Sequence, residues 1–328
     1  MSPFAYHRAQ SVADAVRAGA MPGAHFLGGG TNLVDLAKGG VVQPLVLVDV
    51  SRLPLAEVSA GPQGGVRIGA MARNSDVANH ALIRARYPLL SQALLAGASP
   101  QLRNMATIGG NLLQRTRCPY FYDTAFEHCN KRVPGSGCDA VAGANRNHAI
   151  LGASAACIAT HPSDMCVALA ALRASVRVHG PRGERTIALA DFHRLPGDTP
   201  QRDTTLAPGE LIVGVDLPAD GFADHAHYLK LRDRASYAFA LVSVAAALDV
   251  RGGVIQDAAL ALGGVAHKPW RRPEAEARLV GRAPSDAAFG EAADLLLEGA
   301  RPASQNAFKV TLARRAIVRA LQNAGGQA

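Results

Sequence analysis

Four cysteines, Cys118, Cys129, Cys138 and Cys157, crowd into a 40-residue window of a 328-residue chain, separated by 10, 8 and 18 residues. Thiolates are soft ligands, so such a group points first to metal chemistry. Structural zinc normally sits on closely paired cysteines two to four residues apart, and this window has no such pair. Disulfides fit poorly, because the total of five cysteines is odd and nothing marks the chain as secreted by itself. An iron–sulfur cluster tolerates unpaired spacing. A cluster, zinc and unliganded thiols all stand as readings of these residues, and the spacing suits a cluster best. Arg115, Arg117, Lys131 and Arg132 flank the first two cysteines and would offset the negative charge of a thiolate-ligated cluster. The fifth cysteine, Cys166, sits in the apolar run SDMCVALAALRA, where a free thiol packs as a small hydrophobe.

Two glycine-rich turns offer a different chemistry. Leu27-Gly28-Gly29-Gly30-Thr31-Asn32-Leu33 follows a short apolar segment and opens a helix. Without Cβ atoms its backbone can approach an anion closely and aim N–H groups at a phosphate, and a helix N-terminus adds partial positive charge. Met105-Ala106-Thr107-Ile108-Gly109-Gly110-Asn111 is a second such turn, whose Thr107 hydroxyl and Asn111 amide can add hydrogen bonds. Neither turn is a P-loop or a GxGxxG fingerprint, and either alone reads as a tight turn. Together they suit a pyrophosphate. No paired carboxylates, nucleophile–histidine signature or metal-hydrolase motif stands out, so electron transfer is expected rather than acid–base or nucleophilic catalysis.

These residues need elements to position them. Residues 10–20 carry helical periodicity, 44–51 read as a buried strand, and 64–80 as strand, turn and helix start, with Asn74 or Ser75 as the cap. That helix should stop before Pro88, which suits the first turn of the next helix, LLSQALLA, with Gly97 as its left-handed C-terminal cap. Residues 115–148 show little periodicity, and an irregular loop of about 30 residues inside a domain is usually functional. RTIALADF, ELIVGVDLP and HYLKLRD read as strands or strand ends, 241–265 as a hairpin about Gly252 and Gly253, and the chain from Arg272 onward as helices. The expected fold class is α+β. A first domain of two α/β subdomains would span 1–220, with the cysteine loop at about 115–157, and a smaller domain of antiparallel sheet plus helices would span 221–328.

Composition narrows the partners. The net charge of +8 comes from 34 Lys+Arg against 26 Asp+Glu, only five of them lysines, spread thinly along the chain. With no basic tract, no nucleic-acid motif and 5% aromatic residues, a basic surface for an acidic partner or anionic cofactor is expected, and no nucleic acid. The longest apolar stretches, such as 238–248, fall short of the roughly 20 residues that span a bilayer. The N-terminus shows no secretory signal, so the expected location is the cytoplasm, or the periplasm if the chain is exported folded with a signal-bearing partner.

The motifs FLGGGTNL (26–33), QLRNMATIGGNL (101–112), HPSDM (161–165) and YLKLRDRASYAFALVSVAAAL (228–248) together resemble the FAD-binding subunit of molybdenum hydroxylases of the xanthine-dehydrogenase type, over nearly the whole chain. The insert RCPYFYDTAFEHCNKRVPGSGCDA is similar to that of the aldehyde oxidoreductase branch, whose flavin subunit carries an extra [4Fe–4S] cluster. The resemblance implies that Phe26, Leu27, Gly28, Gly29, Gly30, Thr31, Asn32 and Leu33 cradle the FAD pyrophosphate, with Thr107, Gly109, Gly110 and Asn111 on its other side. It implies a carboxylate–hydroxyl bond from Asp164 to the adenosine end or ribitol, a backbone contact from Ile212, and Lys230 at the pyrimidine edge of the flavin. It makes Cys118, Cys129, Cys138 and Cys157 the cluster ligands. Gly97 stands ten positions before Thr107, where some relatives place an aromatic residue.

The same resemblance implies an oxidoreductase subunit with no catalytic side chain of its own. Its partners would be a molybdenum-cofactor subunit that oxidises an aldehyde and a [2Fe–2S] subunit that relays electrons to this FAD. An external acceptor would then receive them. A stand-alone flavin oxidase and a zinc-stabilised binding protein are the rival readings.

Overall fold

The computed structural model describes residues 1–326. Its first layer is a parallel sheet of β1 (Ala5–Arg8), β2 (Ala24–Leu27) and β3 (Val46–Asp49) in the order β1-β3-β2. Parallel neighbours need crossovers, and the helices Val12–Gly19 and Leu33–Lys38 supply them. The first helix starts where Ser11 accepts the Asp14 N–H (3.1 Å) and buries Ala15 and Val16 against Val48.

The second layer is an antiparallel sheet of β4 (Val58–Ala60), β5 (Val66–Gly69), β6 (Ser175–Gly180), β7 (Gly183–Ala188) and β8 (Leu211–Leu217), ordered β4-β5-β8-β6-β7. Along β6, Val176 and Val178 are fully buried while their neighbours are not, the period-2 signature of a strand with one face on a core. That core is filled by the helices Pro88–Ala96 and Asp164–Ala171. Pro88 takes the first helical position, as expected.

The third layer is β9 (Ala226–Leu231), β10 (Val242–Arg251) and β11 (Val254–Gly263), antiparallel in the order β11-β10-β9. The hairpin turns on Gly252 and Gly253 at φ of 59° and 77°, values that a two-residue turn between right-twisted strands requires. Both faces of this hairpin are covered. Ala245, Ala247, Ala259 and Ala261 join the core beneath Asp164–Ala171, whereas Val244, Ala246, Leu248, Leu260 and Leu262 face the helices Asp286–Leu296 and Phe308–Ala324. The fold is α+β, as its pattern implied. No helix among the described residues is long and apolar enough to cross a membrane.

Two local expectations are corrected. Gly97 ends its helix in extended geometry (φ −87°, ψ 151°), and the left-handed position falls to Ala98 (φ 52°). Gly97 meets another constraint, since a Cβ there would lie 3.3 Å from Asp164 Oδ2. Neither Asn74 nor Ser75 caps the helix Asn74–Asn79: Arg73 holds that position and makes no side-chain cap.

Candidate cofactor cavity and cysteine cluster

A cavity of about 850 Å³ opens where the three layers meet, within the range of sites for cofactor-sized ligands. The two glycine turns form its floor, and they are built against each other. A Cβ on Gly28 would lie 3.0 Å from Thr107 Oγ1, and one on Gly29 would run into the Met105 carbonyl oxygen. Gly30 needs its left-handed φ of 74° to turn the chain into the next helix. The amide N–H groups of residues 29–33 find no protein acceptor among the described residues, which leaves them for an anion.

The predicted site residues divide into two sets. Gly30, Thr31, Asn32, Gly110, Asn111, Asp164 and Lys230 line the cavity together. Phe26, Leu27, Gly28, Gly29, Leu33, Thr107 and Gly109 stand behind this wall. Thr107 is buried and caps the helix Ile108–Leu112 by accepting the Gly110 N–H (3.2 Å). Ile212 is buried within β8, opposite Val178, and is not part of the cavity wall.

Asp164 and Lys230, given separate tasks by the sequence motifs, meet as a buried ion pair (2.7 Å). Tyr228, two residues earlier on β9, donates its hydroxyl to the other carboxylate oxygen (2.7 Å), and Lys230 also donates to the Ala96 carbonyl (3.1 Å). Burial and the adjacent carboxylate hold the Tyr228 proton well above its usual range. Sequence reasoning missed Tyr228 and also Asn74, whose buried Oδ1 on the cavity wall has no protein partner. The signal for Asn74 was there in its polarity, but a cap was the simpler reading.

The cysteine loop forms the opposite wall. Asn32 ties the two sites together: its amide donates to Tyr122 Oη (2.9 Å) and accepts the Arg115 N–H (2.9 Å). Cys129 and Cys138 face each other across an antiparallel bridge, and Cys118 lines the cavity itself. Burial pushes the Cys118 thiol up to about 12 and Cys157 up to about 11, with the other cysteines of the group adding repulsion. Burial likewise raises Cys138. All three would be protonated at neutral pH unless a metal took the proton's place. Against this, amide N–H groups converge on the sulfurs, from Tyr120 and Phe121 onto Cys118, from Ala140, Val141 and Ile158 onto Cys138, and from Ala159 onto Cys157. Such donors stabilise cluster-bound thiolates. Tetrahedral zinc at ~2.3 Å would need its sulfurs within about 3.8 Å of one another. Among the described residues no three of these four sulfurs lie within 4.8 Å of each other.

The flanking cations act differently from expectation. Lys131 is buried and pairs with Asp203 while donating to the Pro200 carbonyl (2.7 Å), and Arg115 binds the same carboxylate (2.8 Å). These cations hold the Asp203 carboxyl down at about 2 against its burial. Arg132 donates to the Asp123 and Phe126 carbonyls, and Arg117 to Tyr122 Oη (2.6 Å). They brace the loop, and only Lys131 also lowers a thiol, that of Cys157.

Cys166 is fully buried and lies within 4.8 Å of ring nitrogens of His161 and His193. The hydrogen bonds of that pair set the tautomer of each imidazole. His161 Nδ1 accepts the Ser163 N–H (3.3 Å), which puts its proton on Nε2, while His193 Nε2 donates to the Leu112 carbonyl (2.9 Å), which leaves a lone pair on Nδ1. Burial holds His193 down at about 4 and His161 well below its usual value.

A family model for the FAD-binding domain in molybdopterin dehydrogenase matches residues 2–220, and one for the CO dehydrogenase flavoprotein C-terminal domain matches 227–324. The chain belongs to the molybdopterin dehydrogenase FAD-binding family. Within it, the chain is 52% identical to the aldehyde oxidoreductase FAD-binding subunit PaoB of Escherichia coli (strain K12), over 100% of both chains. It is 30% identical to the glyceraldehyde dehydrogenase medium chain of Sulfolobus acidocaldarius, over 86% of this chain and 83% of the relative. Among solved structures, a chain of reconstituted CO dehydrogenase from Oligotropha carboxidovorans superposes with a TM-score of 0.78 at 25% identity, covering 100% of this chain and 99% of the other. This family member is an oxidoreductase subunit of the molybdenum-hydroxylase type that binds FAD. The cavity fits that cofactor in volume, in its free N–H cradle and in the unpartnered Asn74 oxygen.

Proposed function

We propose that this chain is the FAD- and [4Fe–4S]-containing electron-transfer subunit of a heteromeric molybdenum aldehyde oxidoreductase, passing electrons from a [2Fe–2S] subunit to an external acceptor. The observation that carries the reading is the double position of Cys118, one of four clustered cysteines and also part of the cavity wall. The cysteine group and the cofactor cavity thus share a residue, which would bring two redox centres close enough for electron transfer. The aldehyde reading draws further support from the full-length likeness to the Escherichia coli subunit.

FAD supplies the chemistry of taking two electrons and releasing them singly, which joins one-electron carriers to an acceptor. The residues assign themselves to its binding. The free amides of residues 29–33 would take the pyrophosphate, and Gly110 and Asn111 would close over it. The Lys230–Asp164–Tyr228 network would present a fixed cation and carboxylate to the polar edge of the bound group. Cys118, Cys129, Cys138 and Cys157 would hold the cluster, each entering as a thiolate.

Cofactor analysis of anaerobically purified protein tests this. About four iron and four sulfide per chain with one FAD, together with co-purification of a molybdenum subunit and a [2Fe–2S] subunit, is the expected result. Stoichiometric zinc without flavin would overturn it, and substrate turnover by the isolated chain would favour a stand-alone flavin oxidase.

A further inference from the structure

His148 lies where the cysteine group meets the cavity. Its Nε2 stands 3.1 Å from Cys118 Sγ and its ring is buried on the cavity wall, with the Asn145 backbone beside it. The residue is locked from behind. Its carbonyl receives Lys309 Nζ (2.9 Å) and Asn306 Nδ2 (3.1 Å), and the Lys309 ammonium is completely buried, also donating to the Gly264 carbonyl (2.5 Å). Cys118 meets an imidazole in addition to backbone amides, whereas Cys138 and Cys157 are met by backbone amides. Against a cluster-bound thiolate, which can only accept, Nε2 would carry the ring proton.

We propose that His148 sets the reduction potential of the [4Fe–4S] cluster by donating a hydrogen bond from Nε2 to Cys118 Sγ, an inference that rests on the cluster reading above. An N–H donor draws electron density from a ligand thiolate and favours the more negative, reduced cluster over the oxidised one, which raises the potential. Cys118 is the cluster sulfur on the cavity wall, so the bond acts at the ligand nearest the flavin site. His148 is a positioning and tuning residue. It takes up no electron itself.

The test uses the anaerobically purified complex, titrated with dithionite and followed by electron paramagnetic resonance, with iron, sulfide and FAD counted for every variant. His148→Phe and His148→Leu, which lack a donor, should lower the potential by about tenfold in the reduction equilibrium constant, 59 mV for one electron. His148→Gln, whose amide can donate, should restore most of that shift. Full iron with an unshifted potential in His148→Phe would overturn the proposal while leaving the cluster in place. An equal shift in His148→Gln would overturn it too, since the donor would then be irrelevant. Iron loss from both non-donor variants would assign His148 a structural role and overturn it as well. Wild-type protein without iron would bring down the cluster reading itself, a failure told apart by the iron count alone.

Discussion

The two walls of the cavity are held in opposite ways. The glycine turns are placed by what is missing: Gly28 and Gly29 let one turn seat against Thr107 and Met105 of the other, and no side chain intervenes. The cysteine loop is placed by what is present. Lys131, Asn130, Arg132 and Asn145 reach from its irregular backbone to carbonyls, amides and Asp203 and substitute for the secondary structure it lacks. The turns should therefore fail when atoms are added, and the loop when atoms are removed.

The largest effect should come from removing a sulfur. On the proposed cluster, Cys138→Ser should lose nearly all iron, while Cys166→Ser, outside the group, should keep it; equal iron loss in both, measured by metal analysis, would erase the distinction between the two kinds of cysteine. Next comes Lys131→Met, which strips a buried cation from Asp203 and, with Arg115 still bound to that carboxylate, should destabilise the protein by about 3 kcal/mol in thermal or denaturant unfolding. On the other wall, Gly29→Ala forces a methyl into the Met105 carbonyl and should cost about 3 kcal/mol and most of the bound FAD, read by flavin absorbance. Gly40→Ala, left-handed at φ 73° but in open space, should cost only about 1 kcal/mol and no flavin, which separates conformational strain from loop contact.

The smallest effect concerns pH. Asp203 is depressed from 3.8 to about 2, so its contribution is fully present above about pH 4 and is lost as pH falls toward 2. Acid unfolding should therefore begin in the cysteine loop, with hydrogen exchange near Lys131 rising before exchange near Thr107. Simultaneous exposure of both walls would contradict the comparison.

The same contrast explains what the sequence made legible. Local rules reach the Pro88 helix start and the Gly252–Gly253 turn, because a fixed φ or a positive φ is a property of one or two residues. They reach the irregularity of 115–148 as an absence of period. They do not reach pairings across the chain. Lys131 looked like charge compensation for a cluster, yet its partner Asp203 lies 72 residues away, and Lys230 meets Asp164 at a separation of 66. Asn74 failed as a cap because the backbone there enters the helix through Arg73, whose neighbour is the second glycine turn. His148 carried no sequence signal at all. A lone histidine in an unpatterned loop acquires meaning only once a sulfur stands beside it.

The alanine-lined hairpin has one more consequence. Because β10 and β11 give one face to each of two cores, they act as a party wall, and neither room is closed without it. A chain ending at residue 220 would lack Tyr228, Ala245, Ala247, Ala259 and Ala261 from the interior of its own first core. The halves should consequently melt in a single calorimetric transition.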